Sequence, residues 1–556
     1  MERMAYLRFS TLAFSTLTLV SFAACGGSIS PAQSDASLED ASPAPSPTNP
    51  VPSPDAARDA LADALADASP DVEDAGPPVQ PFDWNVIVGT GQSLSVGSAG
   101  APVISTTPSF SNLKLDDTGP DPRFSNSTNL VLVPLAEPIR PLTFPASYPA
   151  GVYPANIRGE TPHTAMASQI TALARAAGLA DYVSLHSVVG SGGKSITFIR
   201  KGGTGNSYDR SLYEADAFKG FARTANKRLG FGAVILTHGE ADAILPSYEA
   251  DLITLAENYQ LDLRAISGQS RPVPLFVSQQ HSIPRRGDAM PRSTSTQAAW
   301  SASTKRPELL SCLGPKYQYA YAPDRVHMDA FGYRRLGIKH GQAYAQQVIW
   351  GRRWRPLEPT ATTRAGRIVR VAFHVPVPPL AWDTVLPAPH PEAGHPWSGG
   401  KGFELEDSAG PVPIAQVAIV GTSIEITMAE DPQGTGLVVR YAMTQDSTGP
   451  AGARAGEGDG RMGLLRDSDP LVGIDDQELD VEATQGSRTL TGDFSGHGRY
   501  ELVVGAGLPL GTSIAVRTSA SSVNLSSPYT GVTGTVKAHV HSNQHNYAVA
   551  FELPVP

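Results

Sequence analysis

Between residues 82 and 350, short apolar runs rich in β-branched residues alternate with amphipathic stretches of helical period. The runs predict strands and the stretches between them predict helices. Such alternation is typical of a parallel sheet with helices on both faces. In open sheets of this kind, function collects in the loops at the carboxyl ends of the strands. The predicted strands are residues 85–88, 182–189, 233–237, 274–278 and 317–321.

Three predicted helices have recognisable ends. Thr161 is a capping residue, Pro162 follows at the first helical position, and Gly178 is the predicted stop. The second helix begins near Ser247, and the third spans residues 329–348 after the last predicted strand. The second helix is expected to bury Leu252, Leu255 and Tyr259.

Residues 95–160 interrupt this alternation, because they are rich in Pro, Ser and Asn. The segment is predicted to be an elaborate loop region. It could wall a substrate pocket, or it could be an insertion without a direct role.

After Arg355 the pattern becomes β throughout, with turn residues between short apolar runs and no helical period. A β-sandwich is the natural expectation, as an accessory domain. Residues 493–499 resemble a degenerate calcium loop, but a plain turn is the alternative because Ser and His stand where carboxylates are usual. The strand candidates are residues 368–376, 417–419, 424–428, 436–441, 502–504, 513–516 and 547–553.

The amino terminus has the pattern of a secretory signal peptide, with two arginines before an apolar run that ends in Ala-Ala-Cys. Cys25 stands where bacterial lipoproteins are cleaved and acylated. We therefore expect export and a lipid anchor in the bacterial envelope, with ordinary cleavage and release as the alternative. Cys25 and Cys312 are the only cysteines, so lipidation of Cys25 leaves no internal disulfide. Cys312 lies in an apolar run that predicts an inert buried thiol.

Most of the formal net charge of −10 belongs to residues 26–80, which are rich in Ala, Pro, Ser and Asp. This composition predicts a disordered acidic tether, because it has almost no large apolar side chain to bury. The rest of the chain is close to neutral, which argues against a nucleic-acid partner. The predicted organisation is a signal peptide and acylated Cys at residues 1–25, the tether at 26–80, an α/β domain at 81–354 and a β-rich domain at 355–556.

Two glycine-rich segments follow predicted strands. In the first, Gly91 and Gln92 lead to Ser93, so a buried strand delivers a serine to the start of the next element, where backbone N–H groups can meet a developing oxyanion. The second, residues 189–195, fails as a phosphate loop because Val188 stands where a glycine is needed, and it lacks the dinucleotide fingerprint. That loop presents an N–H group to substrate or simply turns the chain.

Two polar segments follow later predicted strands. Residues 238–242 read His-Gly-Glu-Ala-Asp, and residues 324–327 read Asp-Arg-Val-His. An aspartate three residues before a histidine can hold one ring nitrogen, which leaves the other free to take a proton from a serine. A surface salt bridge is the alternative for such a pair taken alone.

Taken together, the four motifs resemble the conserved blocks of the SGNH hydrolases, and more closely those of the sialate O-acetylesterase and carbohydrate-esterase branch. The matching segments are residues 91–93, 192–195, 238–242 and 324–333, within a resemblance that covers residues 85–344. The resemblance implies a flavodoxin-like, three-layer α/β domain. Segments of the carboxyl-terminal half similarly resemble the β-domain that is often appended to such esterases.

The resemblance implies a catalytic triad in which Ser93 is the nucleophile, His327 the general base and Asp324 its orienting carboxylate. The oxyanion hole would comprise the backbone N–H of Ser93, Gly193 and a third donor at His238, where the branch has an amide side chain. The predicted substrate contacts are Gln92, Glu240, Asp242 and Gln279. Loop anchoring is the alternative for Glu240 and Asp242, and packing is the alternative for Gln279, Gln280 and His281.

The expected function is hydrolysis of O-acetyl or other short acyl esters, with carbohydrate as the expected carrier, through an acyl-enzyme and without metal or cofactor. The expected partners are an acetylated carbohydrate or small ester, and the membrane through the lipid anchor only. The rival hypothesis is a surface-displayed glycan-binding or structural lipoprotein whose esterase-like domain has lost activity. His238 favours that rival, whereas the intact set of Ser93, Asp324 and His327 favours the enzyme.

Overall fold

The computed structural model describes residue 79 and residues 82–118, 129–139, 159–282, 293–389, 399–444 and 462–556, all within one compact unit. Cys25 lies outside these residues, as does the predicted tether apart from Val79. The predicted boundaries between signal peptide, tether and domains therefore stay predictions.

A seven-stranded sheet organises the first half of the chain, in the order β3-β2-β4-β1-β5-β6-β7. The five strands β4, β1, β5, β6 and β7 run parallel, and β2 joins their edge parallel to β4. Only β3 is antiparallel, against β2. The strands are β1 (Trp84–Gly91), β2 (Leu113–Asp117), β3 (Leu130–Pro134), β4 (Ser184–Gly190), β5 (Leu229–Thr237), β6 (Leu275–Gln279) and β7 (Leu310–Pro315).

Four of the five predicted strands are confirmed as β1, β4, β5 and β6. The fifth prediction, residues 317–321, is wrong, because the strand is Leu310–Pro315. Every residue of that strand is buried, as a strand inside a parallel sheet requires. Tyr317 and Tyr319 are also buried, but they lie in a turn and the bend that follows it. Their spacing of two residues imitates the pattern of a strand.

The loop prediction for residues 95–160 is wrong at two places, since Leu113–Asp117 and Leu130–Pro134 form a hairpin on the edge of the sheet. Leu115 and Leu130 are buried in the same core as the central strands. Lys114 donates to the carbonyls of Ala136 and Pro138, which ties the end of the hairpin to the following turn.

Six helices accompany the sheet in the described ranges, and none of them is long and apolar enough to cross a bilayer. The Thr161 cap with Pro162, the helix after Ser247 and the helix after Asp329 are confirmed. The helix at residues 294–305 was not predicted, because its many Ser and Thr residues favour caps and turns over helix interiors. The helices are α1 (Pro162–Ala176), α2 (Ile196–Ile199), α3 (Ser207–Thr224), α4 (Tyr248–Ser267), α5 (Thr294–Lys305) and α6 (Ala330–Tyr344), which a π turn continues at Ala345–Ile349.

After residue 357 the described chain is β, and all of its strand pairings are antiparallel. Each of the seven predicted segments overlaps a strand. The strands are β8 (Glu358–Ala365), β9 (Ile368–His374), β10 (Ala381–Trp382), β11 (Phe403–Asp407), β12 (Gly410–Pro411), β13 (Ile414–Val420), β14 (Ser423–Met428), β15 (Val438–Tyr441), β16 (Leu465–Arg466), β17 (Gln477–Ala483), β18 (Thr489–Thr491), β19 (Leu502–Gly505), β20 (Ile514–Ser519), β21 (Ser522–Leu525), β22 (Gly534–His541) and β23 (Phe551–Pro554).

Two four-stranded sheets of this region, β12-β11-β15-β23 and β13-β14-β9-β8, share one hydrophobic core. Val371 and Ile426 come from one sheet, and Leu405 and Val439 from the other. A six-stranded sheet, β19-β22-β17-β18-β21-β20, has a separate core. The β region thus contains two cores, where the strand pattern predicted one sandwich.

Buried polar contacts join the α/β region to the β region. Three long polar side chains of α6 lie in this junction: Arg334 pairs with Glu501, Lys339 donates to Asn546, and Gln342 donates to Asp469. Because these partners are provided by residues beyond 460, helix α6 depends on the β region for the pairing of its buried polar groups.

Candidate active site

Ser93 lies at a sharp turn where the central strand of the sheet ends. Gly91 closes β1 with a φ of 139°, and a Cβ atom there would lie 2.2 Å from the carbonyl oxygen of Thr237, so only glycine fits. Ser93 then opens a 3-10 helix, Ser93–Val96. Ser95 ties this turn back, since its hydroxyl and its backbone N–H both donate to the carbonyl of Gln92.

The three predicted triad residues meet at the carboxyl edge of the sheet. Nε2 of His327 lies 2.7 Å from Oγ of Ser93, and Nδ1 of His327 lies 2.5 Å from Oδ2 of Asp324. The second carboxylate oxygen of Asp324 accepts from the backbone N–H groups of Val326 and His327. Burial opposes the charge on Asp324, but these hydrogen bonds prevail and lower its pKa below the usual value. A continuous chain from carboxylate to imidazole to hydroxyl results.

The loop between β7 and α6 presents Asp324 and His327. Its backbone closes on itself, because Ala322 donates to the carbonyl of His327 and Arg325 donates to that of Ala322. Asp329 ends the loop by capping α6 through the N–H of Gly332. Asp-x-x-His is therefore held in a closed turn in which the two side chains face each other.

The backbone N–H groups of Ser93 and Gly193 were predicted to form part of an oxyanion hole. Ser93 is the first residue of its 3-10 helix, so its N–H has no partner inside the helix. Gly193 lies in the exposed loop after β4 with a φ of 67°, a conformation that favours glycine. Within the described ranges, neither N–H donates to a protein acceptor. The oxyanion-hole role predicted for these two groups is consistent with their lack of a protein acceptor and stays a prediction.

Both ring nitrogens of His238, the expected third donor, face protein groups. Its ring is fully buried, and Nε2 lies 2.9 Å from the carbonyl oxygen of Lys194, which can only accept. Nε2 of His238 therefore carries a proton and donates a hydrogen bond to that carbonyl. Nδ1 faces the hydroxyl of Tyr248 at 3.0 Å, and burial lowers the pKa of the ring, which favours the neutral form. His238 thus holds the glycine loop through Lys194, and its oxyanion contact stays a prediction.

Gln92 and Glu240 lie in the interior behind Ser93. The side-chain amide of Gln92 donates to Oε2 of Glu240 at 2.8 Å and accepts from the N–H of Ala241 at 3.1 Å. Oε1 of Glu240 pairs with Lys316 at 2.6 Å, and both side chains are buried. The side-chain oxygens of Glu240 are thus engaged by two other side chains, and its predicted contact with substrate stays a prediction.

Asp242 and Gln279 also bind protein groups. Oδ2 of Asp242 accepts from the N–H of Ile196 at 2.6 Å, which anchors the glycine loop from its far end. The amide of Gln279 exchanges two hydrogen bonds of 2.8 Å with the backbone of Ala550, a residue of the β region. Nearby, Gln280 donates to Ser293, and His281 packs edge-on against Tyr321. Substrate contact by these residues stays a prediction.

Sequence reasoning missed two residues of this site, Lys316 and Tyr248. Lys316 directly follows β7, at the edge where the other motifs end, and a lysine after a largely apolar run was the available signal. Tyr248 opens α4 and was within a predicted helix, but its contact with His238 depends on how α4 packs.

In the described part of the chain, no group of three His, Cys, Asp or Glu residues could hold a metal ion. The segment that resembles a calcium loop is a turn there. Asp493 accepts from the N–H of Ser495, and His497 is buried between Glu501 and Gln477. Cys312 is buried, and burial raises its pKa to about 12.

No protein-family model and no curated protein matches this chain. Among solved structures, a carbohydrate acetylesterase from Xanthomonas citri is similar, with 14% identity over 65% of this chain and 75% of the other, and a TM-score of 0.40. A protein from Arabidopsis thaliana has 16% identity over 48% of this chain and 100% of its own, with a TM-score of 0.33. A carbohydrate acetylesterase from Sinorhizobium meliloti has 12% identity over 47% and 97%, with a TM-score of 0.24. Similarity at this level assigns no family.

Proposed function

We propose that this protein is a serine esterase that hydrolyses O-acetyl or other short acyl esters. The observation that carries the proposal is the chain of contacts from Asp324 through His327 to Ser93, with 2.7 Å between imidazole and hydroxyl. A base within hydrogen-bond reach of a hydroxyl, itself oriented by a carboxylate, is the arrangement that activates a serine nucleophile.

In this mechanism, Nε2 of His327 takes the proton of Ser93 as Oγ attacks the ester carbonyl. The negative charge that develops on the carbonyl oxygen is met by the N–H groups of Ser93 and Gly193. His327 then returns its proton to the leaving alcohol, and an acyl-serine remains. Water attacks this ester with His327 as base again, which releases the acid and restores Ser93. Asp324, whose hydrogen bonds keep its pKa low, stabilises the imidazolium throughout.

The proposed natural substrate is an acylated carbohydrate, whose hydroxyl group is the leaving alcohol. The support for this step is the order of the four motifs, which resembles that of the sialate O-acetylesterase and carbohydrate-esterase branch. A departure from that pattern, His238 in place of an amide, does not contact the proposed triad, since His238 binds the carbonyl of Lys194.

Acetate release tests the proposal directly. The purified protein is incubated with p-nitrophenyl acetate, acetylated xylan and O-acetylated sialic acid, beside Ser93→Ala. We expect the parent protein to release acetate and to react with a fluorophosphonate probe, and the variant to do neither. Probe labelling that persists in Ser93→Ala would place the nucleophile elsewhere, and an inactive, unlabelled parent would favour a surface lipoprotein without esterase activity.

We also propose that the protein is exported and anchored to the bacterial envelope through an acylated Cys25. The support is the Arg-containing amino terminus, the apolar run and the Ala-Ala-Cys sequence that ends it. Detergent phase partition of the full chain, compared with Cys25→Ser, tests the anchor. Partition of both proteins into the aqueous phase would leave release after ordinary cleavage as the better account.

A further inference from the structure

A buried ion pair lies behind the nucleophile. Nζ of Lys316 is 2.6 Å from Oε1 of Glu240, and the two side chains are 0% and 2% exposed. Removing two charges from water costs free energy that their mutual attraction often fails to offset, so a buried pair is a weak means of stabilising a fold. Its position therefore suggests a role in specifying geometry.

The pair extends to the residue before the nucleophile. Oε2 of Glu240 accepts from the side-chain amide of Gln92, whose own oxygen accepts from the N–H of Ala241. Gln92 is almost completely buried, and both ends of its amide are held. The chain leaves this fixed residue directly into Ser93.

The three side chains come from the carboxyl ends of three different strands. Gln92 follows β1, Glu240 follows β5, and Lys316 follows β7. Lys316 also opens the loop that presents Asp324 and His327, and the hydroxyl of Tyr321 within that loop donates to the carbonyl of Lys316. The ion pair therefore connects the turn that carries the nucleophile to the loop that carries its base.

We propose that Lys316 is a positioning residue for ester hydrolysis. Through Glu240 and Gln92, its ammonium group fixes the separation between Oγ of Ser93 and Nε2 of His327, which is 2.7 Å. This inference rests on the proposed esterase function. A small displacement of the reacting groups slows proton transfer more than it weakens substrate binding. Loss of the ion pair between Lys316 and Glu240 should therefore reduce kcat and leave KM nearly unchanged.

The test compares Lys316→Met with the double variant Lys316→Met/Glu240→Gln. The single variant leaves a buried carboxylate without its cation, so its urea midpoint should fall. The double variant removes both charges, and the amide oxygen at position 240 can still accept from Gln92, so the midpoint should recover. We expect kcat of the double variant to stay at least about tenfold below that of the parent, with KM within about twofold.

Two further variants complete the series. Lys305→Met is the matched control, because it breaks an ion pair with Glu249 in which the lysine is 62% exposed, and it should leave kcat and stability near the parent values. Lys316→Arg keeps a cation for Glu240 and should retain more kcat than Lys316→Met. If Lys316→Met misfolds, the comparison of Lys316→Arg with the double variant still decides between positioning and packing.

A crystal structure of the double variant measures the geometry itself. We expect the hydroxyl of Ser93 and Nε2 of His327 to lie beyond hydrogen-bond reach. Parent-like kcat in the double variant, with the short contact retained, would overturn the proposal. A parent protein that hydrolyses no ester would instead overturn the proposed function, and the crystal structure would still decide whether the ion pair sets the contact.

Discussion

Arg334 provides the sharpest test of how the β region stabilises the α/β region. It lies on α6, seven residues after His327, and pairs with Glu501 at 2.8 Å and Asp475 at 3.3 Å. The two carboxylates are 0% and 3% exposed, and Arg334 is 13% exposed. Arg334→Met would fill similar space but leave both carboxylates without their cation.

Removing one partner of a buried ion pair costs about 3–5 kcal/mol of unfolding free energy. Glu501 keeps a second partner, because Nδ1 of His497 lies 2.8 Å from its other oxygen. We therefore expect a loss near the lower end, about 3 kcal/mol. The measurement is urea unfolding followed by fluorescence at neutral pH. Arg367→Met is the control, since it breaks a pair with Asp431 that is more than half exposed on both sides and should change little.

The pH dependence gives a second readout. Burial opposes ionisation of Glu501, but Arg334 and His497 prevail and lower its pKa below the usual value. A carboxyl with a lowered pKa in the folded state contributes stability that is present above its unfolded pKa, about 4.3, and lost as the pH falls through the folded pKa. The difference between the parent and Arg334→Met should therefore shrink in acid. A loss below about 1 kcal/mol at neutral pH, equal to that of the control, would refute the reasoning.

Three other outcomes are expected. Ser93→Ala and His327→Ala should each abolish most turnover without unfolding the protein, and the double variant should be little worse than either, because triad members act as a unit; additive losses in kcat would contradict this. His238→Ala should lower kcat more than His238→Gln, since the amide of a glutamine can still donate to the carbonyl of Lys194. Backbone hydrogen exchange in residues 190–196 should also be faster in His238→Ala than in the parent. Equal exchange rates in the two proteins would show that His238 does not hold this loop. Removal of residues 1–80 should leave a soluble protein with parent kcat, and aggregation of the truncated chain would show that the tether prediction is wrong.

The contacts among Ser93, His327 and Asp324 were predictable because the sequence signals for them are local. Asp324 and His327 are three residues apart in one closed loop, and Ser93 comes two residues after Gly91, whose backbone conformation requires glycine. The parallel sheet follows from the same kind of local pattern, since apolar runs of strand length alternate with helical periods. The errors fell where the pattern is ambiguous, as at residues 317–321, whose alternating tyrosines look like a strand although Tyr317 and Tyr319 lie in a turn and a bend.

The side chains around the triad depended on contacts between distant parts of the chain. His238 looked like a donor to substrate, yet packing aims its ring at Tyr248 and at the carbonyl of Lys194. Gln279 looked like a pocket residue, yet its amide binds Ala550, 271 positions away. The residue type determines which hydrogen bonds a side chain can make. Which partners it bonds to depends on how distant segments pack in the folded chain.

The sequence by itself determined the alternation that builds the α/β sheet and the all-β character of the carboxyl-terminal half. It also singled out Ser93, Asp324 and His327 as the residues proposed to act together. Only the tertiary structure decided that Lys316 reaches Glu240 and that Arg334 is paired from the β region. The periods of strands and helices appear in residues that are close in sequence. The partner of a buried charge, in contrast, lies on whichever segment packs against it, and that segment is determined only when the whole chain is folded.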